Sequence, residues 1–278
     1  MFEGRKLIVA TKHQKEKIIA PLFEKQLGVK CLVAEELDTD LFGTFTGEIE
    51  RLQDPVETAK QKCLKALEMY GGDLAISNEG SFGPHPSMFF AHADSEIILL
   101  LDQKNGLEII EKEISTQTNF NGSEVETILD LMDFANSVNF PLHALILRKS
   151  KDSNEDIFKG ITTENDLKEI FNNLNQKYGK VYAETDMRAM HNPTRRLVIE
   201  KVTQKLLNKI KSLCPNCQTP GYSVTKALPR LECENCGAAT SSTLIHVLSC
   251  LKCYFSEEKK YPNNKQFEDP MFCQFCNP

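Results

Sequence analysis

The chain has 278 residues, of which 41% are hydrophobic and 26% are charged, so it can bury one large core or two modest ones. Its net charge of −6 excludes a general basic field that would attract nucleic acid or anionic lipid. The sequence contains no run of about 18 apolar residues, so we expect no membrane-spanning helix.

The first third of the chain predicts an α/β domain. Short apolar runs predict strands, and apolar residues at a spacing of three and four predict helices. Asp54 and Pro55 are typical of a helix start, because Pro suits the first helical turn. The predicted elements are a strand at 6–10, a helix at 18–27, a strand at 29–33, a helix from 55 to about 70, and strands at 73–77 and 96–101.

A polar turn follows the first predicted strand and precedes the first helix. It contains Thr11, Lys12 and Lys15. Backbone N–H groups at a helix start, together with two lysines, can hold phosphate oxygens. An ordinary strand–helix turn with surface lysines would have the same sequence, so both interpretations stay open.

Two glutamates lie in later polar stretches that we interpret as loops. Glu48 belongs to Thr46-Gly47-Glu48, and Glu79 belongs to the stretch 78–86, which is rich in Gly and Pro. A carboxylate at the end of a strand can ligate Mg²⁺ or orient a water molecule for attack on phosphorus. A solvated turn residue is the alternative for Glu79.

The second half continues the alternation of helices and strands. A row of lysines at positions 201, 205 and 209 of the last predicted helix is interpreted as a solvated face. The predicted elements are a helix at 123–138, strands at 142–147 and 181–183, a hairpin partner at 156–161, and helices at 163–177 and 193–211.

A dense polar cluster follows the strand at 181–183. The mixture of acids, a histidine and arginines is richer than a plain connector needs, and arginine has the fork geometry that suits carboxylate or phosphate. A helix-capping network is the alternative. The cluster contains Glu184, Asp186, Arg188, His191 and Arg195.

Eight of the ten cysteines form four Cys-x-x-Cys pairs in the last 65 residues. Two such pairs complete a tetrahedral shell of four sulfurs, which structural zinc prefers. Four pairs therefore predict two structural zinc ions, with Fe–S clusters and disulfides as weaker alternatives. The expected ligands are Cys214, Cys217, Cys233, Cys236, Cys250, Cys253, Cys273 and Cys276.

The sharing of the four pairs between two ions is not fixed by spacing. Sequential use, with the first two pairs on one ion and the last two on the other, closes the shortest loops and has the lowest closure entropy. That entropy grows only logarithmically with loop length, so crossed or nested pairing stays open.

Together these patterns predict an α/β fold with a mixed central sheet flanked by helices, followed by a small zinc-ribbon module. We place the α/β domain at 1–210 and the double zinc module at 211–278. From residue 211 the chain carries seven Lys or Arg against six Asp or Glu, so the zinc module has no basic surface for nucleic acid.

The order of motifs in residues 5–101 resembles the inosine/xanthosine triphosphate pyrophosphatase-like superfamily, which includes the Maf proteins. The likeness rests on Ala10-Thr11 with Lys15, on Thr46-Gly47-Glu48, and on the strand that leads to Asn78-Glu79-Gly80. It implies a phosphate-binding Ala-Thr-x-x-x-Lys segment and an acidic residue that supports Mg²⁺ and catalysis. The whole chain also resembles a bacterial family of unknown function that ends in a double zinc ribbon.

Two hypotheses of function follow. The first is a Mg²⁺-dependent hydrolase of nucleotide-like phosphoanhydrides, with Glu48 and Glu79 as catalytic acids and Thr11, Lys12, Lys15, Arg188 and Arg195 as phosphate ligands. The second is a non-catalytic scaffold whose zinc ribbons bind a protein or nucleic-acid partner. We expect a phosphate-containing small molecule, no nucleic-acid or membrane partner, and a homodimer as an arrangement that the zinc tail could support. The lack of a signal-peptide core predicts a cytoplasmic protein.

Overall fold

The computed structural model describes residues 1–39 and 54–278. Glu48, with Thr46 and Gly47, lies outside the described residues. The chain divides into two compact units, Met1–Leu206 and Leu207–Pro278. No described helix combines the length and the apolar character needed to cross a bilayer.

The first unit begins with a mixed five-stranded sheet in the order β2-β1-β3-β4-β5. Strand β1 pairs in parallel with β2 and β3, and the β3–β4 and β4–β5 pairs are antiparallel. The mixed sheet with flanking helices is therefore confirmed. Its elements are β1 (Lys6–Val9), α1 (Glu16–Leu27), β2 (Lys30–Val33), α2 (Pro55–Tyr70), β3 (Leu74–Pro84), β4 (His92–Asp102) and β5 (Leu107–Ser115).

Helix α2 shows how local sequence and packing agree. The Asp54 side chain accepts hydrogen bonds from the backbone N–H groups of Val56 and Glu57, which caps the helix start. Its apolar stripe is buried against the sheet, and the members are Ala59, Cys63, Ala66 and Leu67.

The second half of the first unit forms its own sheet, which the sequence alone does not separate from the first. This antiparallel sheet has the order β6-β9-β7-β8. Its elements are β6 (Gly122–Val125), α3 (Ile128–Ser137), β7 (Leu145–Arg148), β8 (Phe158–Ile161), α4 (Glu164–Tyr178), β9 (Val181–Thr185) and α5 (Pro193–Lys211), whose last residues, from Leu207, belong to the second unit.

One local prediction in this half is wrong. The predicted helix at 123–138 starts later, because Thr127 and Asp130 form a capping box and residues before it pair as β6. The lysine row on α5 is solvent-exposed at Lys201 and Lys205, as predicted, and both of these side chains also pair with Glu113 on β5.

The second unit consists of zinc-ribbon-like turns around a three-stranded antiparallel sheet in the order β10-β11-β12. The strands are β10 (Ser223–Pro229), β11 (Thr243–Ser249) and β12 (Ser256–Lys260).

Candidate functional site

Each Cys-x-x-Cys pair in the second unit forms the same tight turn. In every turn, the backbone N–H four residues after the first cysteine donates to the carbonyl of that cysteine, at 2.8 to 3.1 Å. The donors are Gln218, Gly237, Tyr254 and Asn277. This repeated turn points both thiols of a pair to one side, as a metal knuckle requires.

The four turns combine into two groups of four sulfurs, each with all ligand atoms within 4.8 Å of one another. The Sγ–Sγ distances across turns are 3.6 Å for Cys214–Cys253 and Cys217–Cys250, and 3.9 and 3.6 Å for Cys233–Cys276 and Cys236–Cys273. A tetrahedral ion with Zn–S bonds of about 2.3 Å places its sulfurs about 3.8 Å apart. The donor set and spacing fit two structural zinc ions, and the sulfurs are too far apart for disulfides.

The pairing is interleaved, so the sequential pairing favoured by loop entropy is wrong. The first and third pairs form one centre, and the second and fourth form the other. The interleaved pairing follows from the strand order of the β10-β11-β12 sheet. Pairing of Ser223 with Ser249 brings the first and third turns to one end of the β10–β11 hairpin, and β12 then carries the chain back toward the second turn.

Each centre has matched hydrogen bonds to sulfur. Asn216 donates to Cys253 Sγ at 3.7 Å, and Asn235 donates to Cys276 Sγ at 3.5 Å. The Thr219 hydroxyl lowers the pKa of Cys217, and the backbone N–H groups of Cys276 and Phe275 lower that of Cys273. Each centre thus contains a thiol that readily becomes the thiolate that zinc binds.

In the first unit, most of the predicted phosphate site converges on one small cavity of about 60 Å³. The turn after β1, the middle of β3, helix α2 and the region that follows β9 all contribute to its wall. We call it the cationic cavity. Its polar lining includes Thr11, Lys12, Lys15, Lys62, Asn78, Glu79, Arg188 and Arg195.

Four of the five described cations in the wall have a carboxylate partner. Lys12 pairs with Asp38, and Lys62 pairs with Glu79. Arg188 Nε lies 3.0 Å from Asp186 Oδ1, and Arg195 Nε lies 2.6 Å from Glu96 Oε1. Lys15 instead donates to the backbone carbonyl of Asn78 at 3.1 Å. The described charges therefore leave Lys15 without a direct counter-ion.

The position of Glu79 corrects the loop interpretation. Glu79 and Asn78 lie inside the eleven-residue strand β3, where both side chains are buried. The neighbouring Gly80 serves packing and not a turn, since a Cβ there would lie 2.2 Å from Arg195 Nη2. Gly80 thus follows from the close approach of another side chain inside a strand, whereas a Cβ at Gly83 would meet nothing within 4 Å.

Two buried polar atoms in the cavity wall have no hydrogen-bond partner among the described residues. They are the Thr11 hydroxyl and Asn78 Oδ1, on side chains that are 6% and 2% exposed. Because buried polar groups are nearly always satisfied, these atoms favour a polar ligand or water in the cavity. The backbone of the turn between Thr11 and helix α1 is also strained, with positive φ angles of 64° and 63° at His13 and Gln14.

Burial sets the protonation of this region. Burial lowers the pKa of Lys15 to about 8, and the positive charge of Arg195 contributes to the same shift. Burial alone would raise the pKa of Glu96, but Arg195 and Lys15 hold it below its ordinary value. Asp94 differs, because burial and the adjacent Glu96 raise its pKa to about 8.

We expect Asp94→Asn to stabilise the protein increasingly as pH rises. The folded state keeps a proton on Asp94 that the unfolded state releases, so the wild type loses stability between about pH 4 and pH 8. The variant lacks this titration. Its Tm should match the wild type near pH 4 and exceed it by roughly 2–4 °C or more above pH 8.

Calorimetry across this pH range checks the prediction, with the exposed Asp133→Asn on α3 as the matched control. A Tm difference for Asp94→Asn that is the same at pH 5 and pH 9 would contradict a raised pKa.

The remaining predicted residues lie around the cavity without lining it. Asp186 is fully buried and orients Arg188. Glu184 faces Arg148 in a neighbouring cavity. His191 lies near Gly160, and burial lowers its pKa. This cluster acts partly as the capping network that the sequence left open, since Asn192 Oδ1 accepts from the backbone N–H of Arg195.

Lys62, Asp94 and Glu96 were missed by sequence reasoning. Lys62 is in phase with the buried stripe of α2, and a lysine at such a position is a detectable signal. Asp94 and Glu96 open the strongly apolar strand β4, where buried charges are rare unless paired.

Among the described residues, the two cysteine centres are the groups of three or more His, Cys, Asp or Glu side chains close enough together to hold a metal ion. In the cationic cavity Glu79 is paired with Lys62, and nothing in the described part of the chain adds support for the expected Mg²⁺.

Comparison with known proteins places the chain in a family. No curated protein matches the chain, so the resemblance to triphosphate pyrophosphatases stays a prediction. A family model described as a domain of unknown function (DUF6671) matches residues 62–278, which include Lys62, Glu79, both arginines of the cavity and all eight cysteines of the two centres. The chain therefore belongs to the DUF6671 family.

Proposed function

We propose that the first unit binds a phosphoanhydride in the cationic cavity and hydrolyses it. This proposal rests on the wall of the cavity, in which five described cations face a space of about 60 Å³ and Lys15 has no direct counter-ion among the residues that the structure describes. A compact oxyanion fits such a space and would accept hydrogen bonds from Thr11, Lys15 and the guanidinium groups.

The depressed pKa of Lys15 supports an anion as the ligand. Its buried ammonium is destabilised by desolvation and by Arg195. A phosphate group would supply the missing negative charge, so binding would raise the Lys15 pKa and hold the cation in place.

Roles in hydrolysis follow from position. The cations would stabilise negative charge that develops on the phosphoryl oxygens. Glu79, held by Lys62, would orient a water molecule and accept its proton. These roles use the side chains of the protein alone and assign no step to Mg²⁺.

The test is a hydrolysis assay against nucleoside triphosphates, nucleoside diphosphates and inorganic pyrophosphate, with Mg²⁺ and with a chelator. We expect release of phosphate or pyrophosphate from at least one compound, and a loss of about 10²-fold or more in Glu79→Gln, because general-base catalysis contributes roughly that much. Glu68→Gln, on the exposed side of α2, is the matched control.

A scaffold that binds a protein partner is the second candidate. It is favoured by large apolar side chains that stay exposed on the zinc module, such as Tyr254 at 84% and Phe275 at 77%. Absence of both phosphate binding and turnover would favour this function over the hydrolase.

A further inference from the structure

A second and larger cavity, of about 540 Å³, lies in the first unit. Its volume falls in the range of small-molecule sites. We call it the aromatic cavity. Its lining includes Phe82, Phe120, Arg148, Asn154, Tyr182 and Glu184.

One wall of the aromatic cavity presents the faces of aromatic rings. The ring of Phe120 lies 5.8 Å from that of Phe82 and 5.3 Å from that of His92, centroid to centroid. Phe82 and Phe120 are only half-buried, so they keep apolar surface open to the cavity. Partly exposed aromatic rings are platforms on which planar ligands stack.

The other wall offers paired donors and acceptors. Arg148 Nη2 lies 3.1 Å from both carboxylate oxygens of Glu184, and both side chains are largely buried. A single nitrogen does not use the whole acceptor capacity of a carboxylate, while arginine offers donors alone. This pair is complementary to a ring edge that carries a donor beside an acceptor, as nucleobase edges do.

The two cavities share a residue. Phe82 lines both, and the guanidinium of Arg195 lies 4.9 Å from the centre of its ring. A ligand with phosphate in the cationic cavity would therefore extend past Phe82 toward the stacking wall.

We propose that the aromatic cavity binds the planar base of a nucleotide whose phosphates occupy the cationic cavity. This inference rests on the proposed function, because it takes the cationic cavity as the phosphate subsite. It assigns stacking to Phe120 and recognition of the base edge to Arg148 and Glu184.

The experiment compares three sets of probes by calorimetry and ligand-observed NMR: inorganic pyrophosphate, the four common nucleoside triphosphates, and their nucleosides. The variants are Phe120→Leu, which removes the ring while keeping bulk, and Asn154→Ala, which changes an exposed side chain of the cavity. Asn172→Ala, an exposed position on α4, is the matched control.

We expect at least one triphosphate to bind about tenfold or more tightly than pyrophosphate, and Phe120→Leu to remove most of that advantage while pyrophosphate binding changes less than about twofold. Asn154→Ala should weaken binding of the same triphosphate more than Asn172→Ala does.

Equal affinity for pyrophosphate and every triphosphate, or equal losses of affinity for both in Phe120→Leu, would overturn the inference and leave the phosphate site standing. Phe120-dependent nucleoside binding without pyrophosphate binding would support the base subsite and refute the proposed function. No binding of any probe would refute both.

Discussion

The double variant Cys214→Ser/Cys253→Ser should keep one zinc ion per chain, whereas Cys214→Ser/Cys233→Ser should keep none. The first pair of substitutions falls in one centre and the second pair disables both, because the centres interleave along the sequence. Binding of a structural zinc supplies about 10–16 kcal/mol in small zinc modules, so a centre that loses ligands should release its ion. Zinc per chain, measured by elemental analysis of purified protein, gives the answer.

Sequential pairing makes the opposite prediction for the same two variants. Cys214 and Cys233 would then share an ion, and their joint loss would spare the other centre. Cys31→Ser, a half-buried thiol outside both centres, should keep two ions and serves as the control. Zinc contents in the reversed order would contradict the interleaved arrangement.

The sequence predicts that the eight cysteines form two groups of four, but it does not predict which Cys-x-x-Cys pairs share a group. The spacing within each Cys-x-x-Cys turn is a local property that can be read directly from the sequence. Pairing depends on which turns the strands bring together, and doubling a loop changes its closure free energy by only about 0.6 kcal/mol. The register of β10 on β11, with Ser223 opposite Ser249, decides the matter, and this long-range contact leaves no short sequence signal.

For the cationic cavity, too, one part could be predicted from the sequence and another could not. The turn with Thr11 and Lys15 was placed correctly, because a strand followed by an amphipathic helix is a strong local pattern. The stretch at 78–86 was not, because Gly and Pro favour turns in isolation. Here Gly80 is explained by the guanidinium of Arg195, which is 115 positions away in sequence and occupies the space that a side chain would fill.

We expect Glu96→Ala to reduce the free energy of unfolding by about 3–5 kcal/mol, because it leaves the charge of Arg195 buried without its carboxylate partner. Glu96 is fully buried and Arg195 is 5% exposed. Glu96 Oε1 accepts from Arg195 Nε at 2.6 Å, and Glu96 Oε2 accepts from Asn78 at 2.9 Å. The substitution therefore removes the acceptor for two buried donors in the wall of the cationic cavity.

Urea unfolding of the wild type, Glu96→Ala, Arg195→Met and the double variant measures the coupling between the two side chains. The double variant should be less destabilised than the sum of the single variants by at least about 1 kcal/mol, since neither charge is then left alone. Glu68→Ala removes the exposed pair with Lys65 and should cost less than about 0.5 kcal/mol. Strict additivity of the two buried substitutions would mean that Arg195 finds another counter-charge when Glu96 is lost, and the cationic cavity would then not depend on this pair for its geometry.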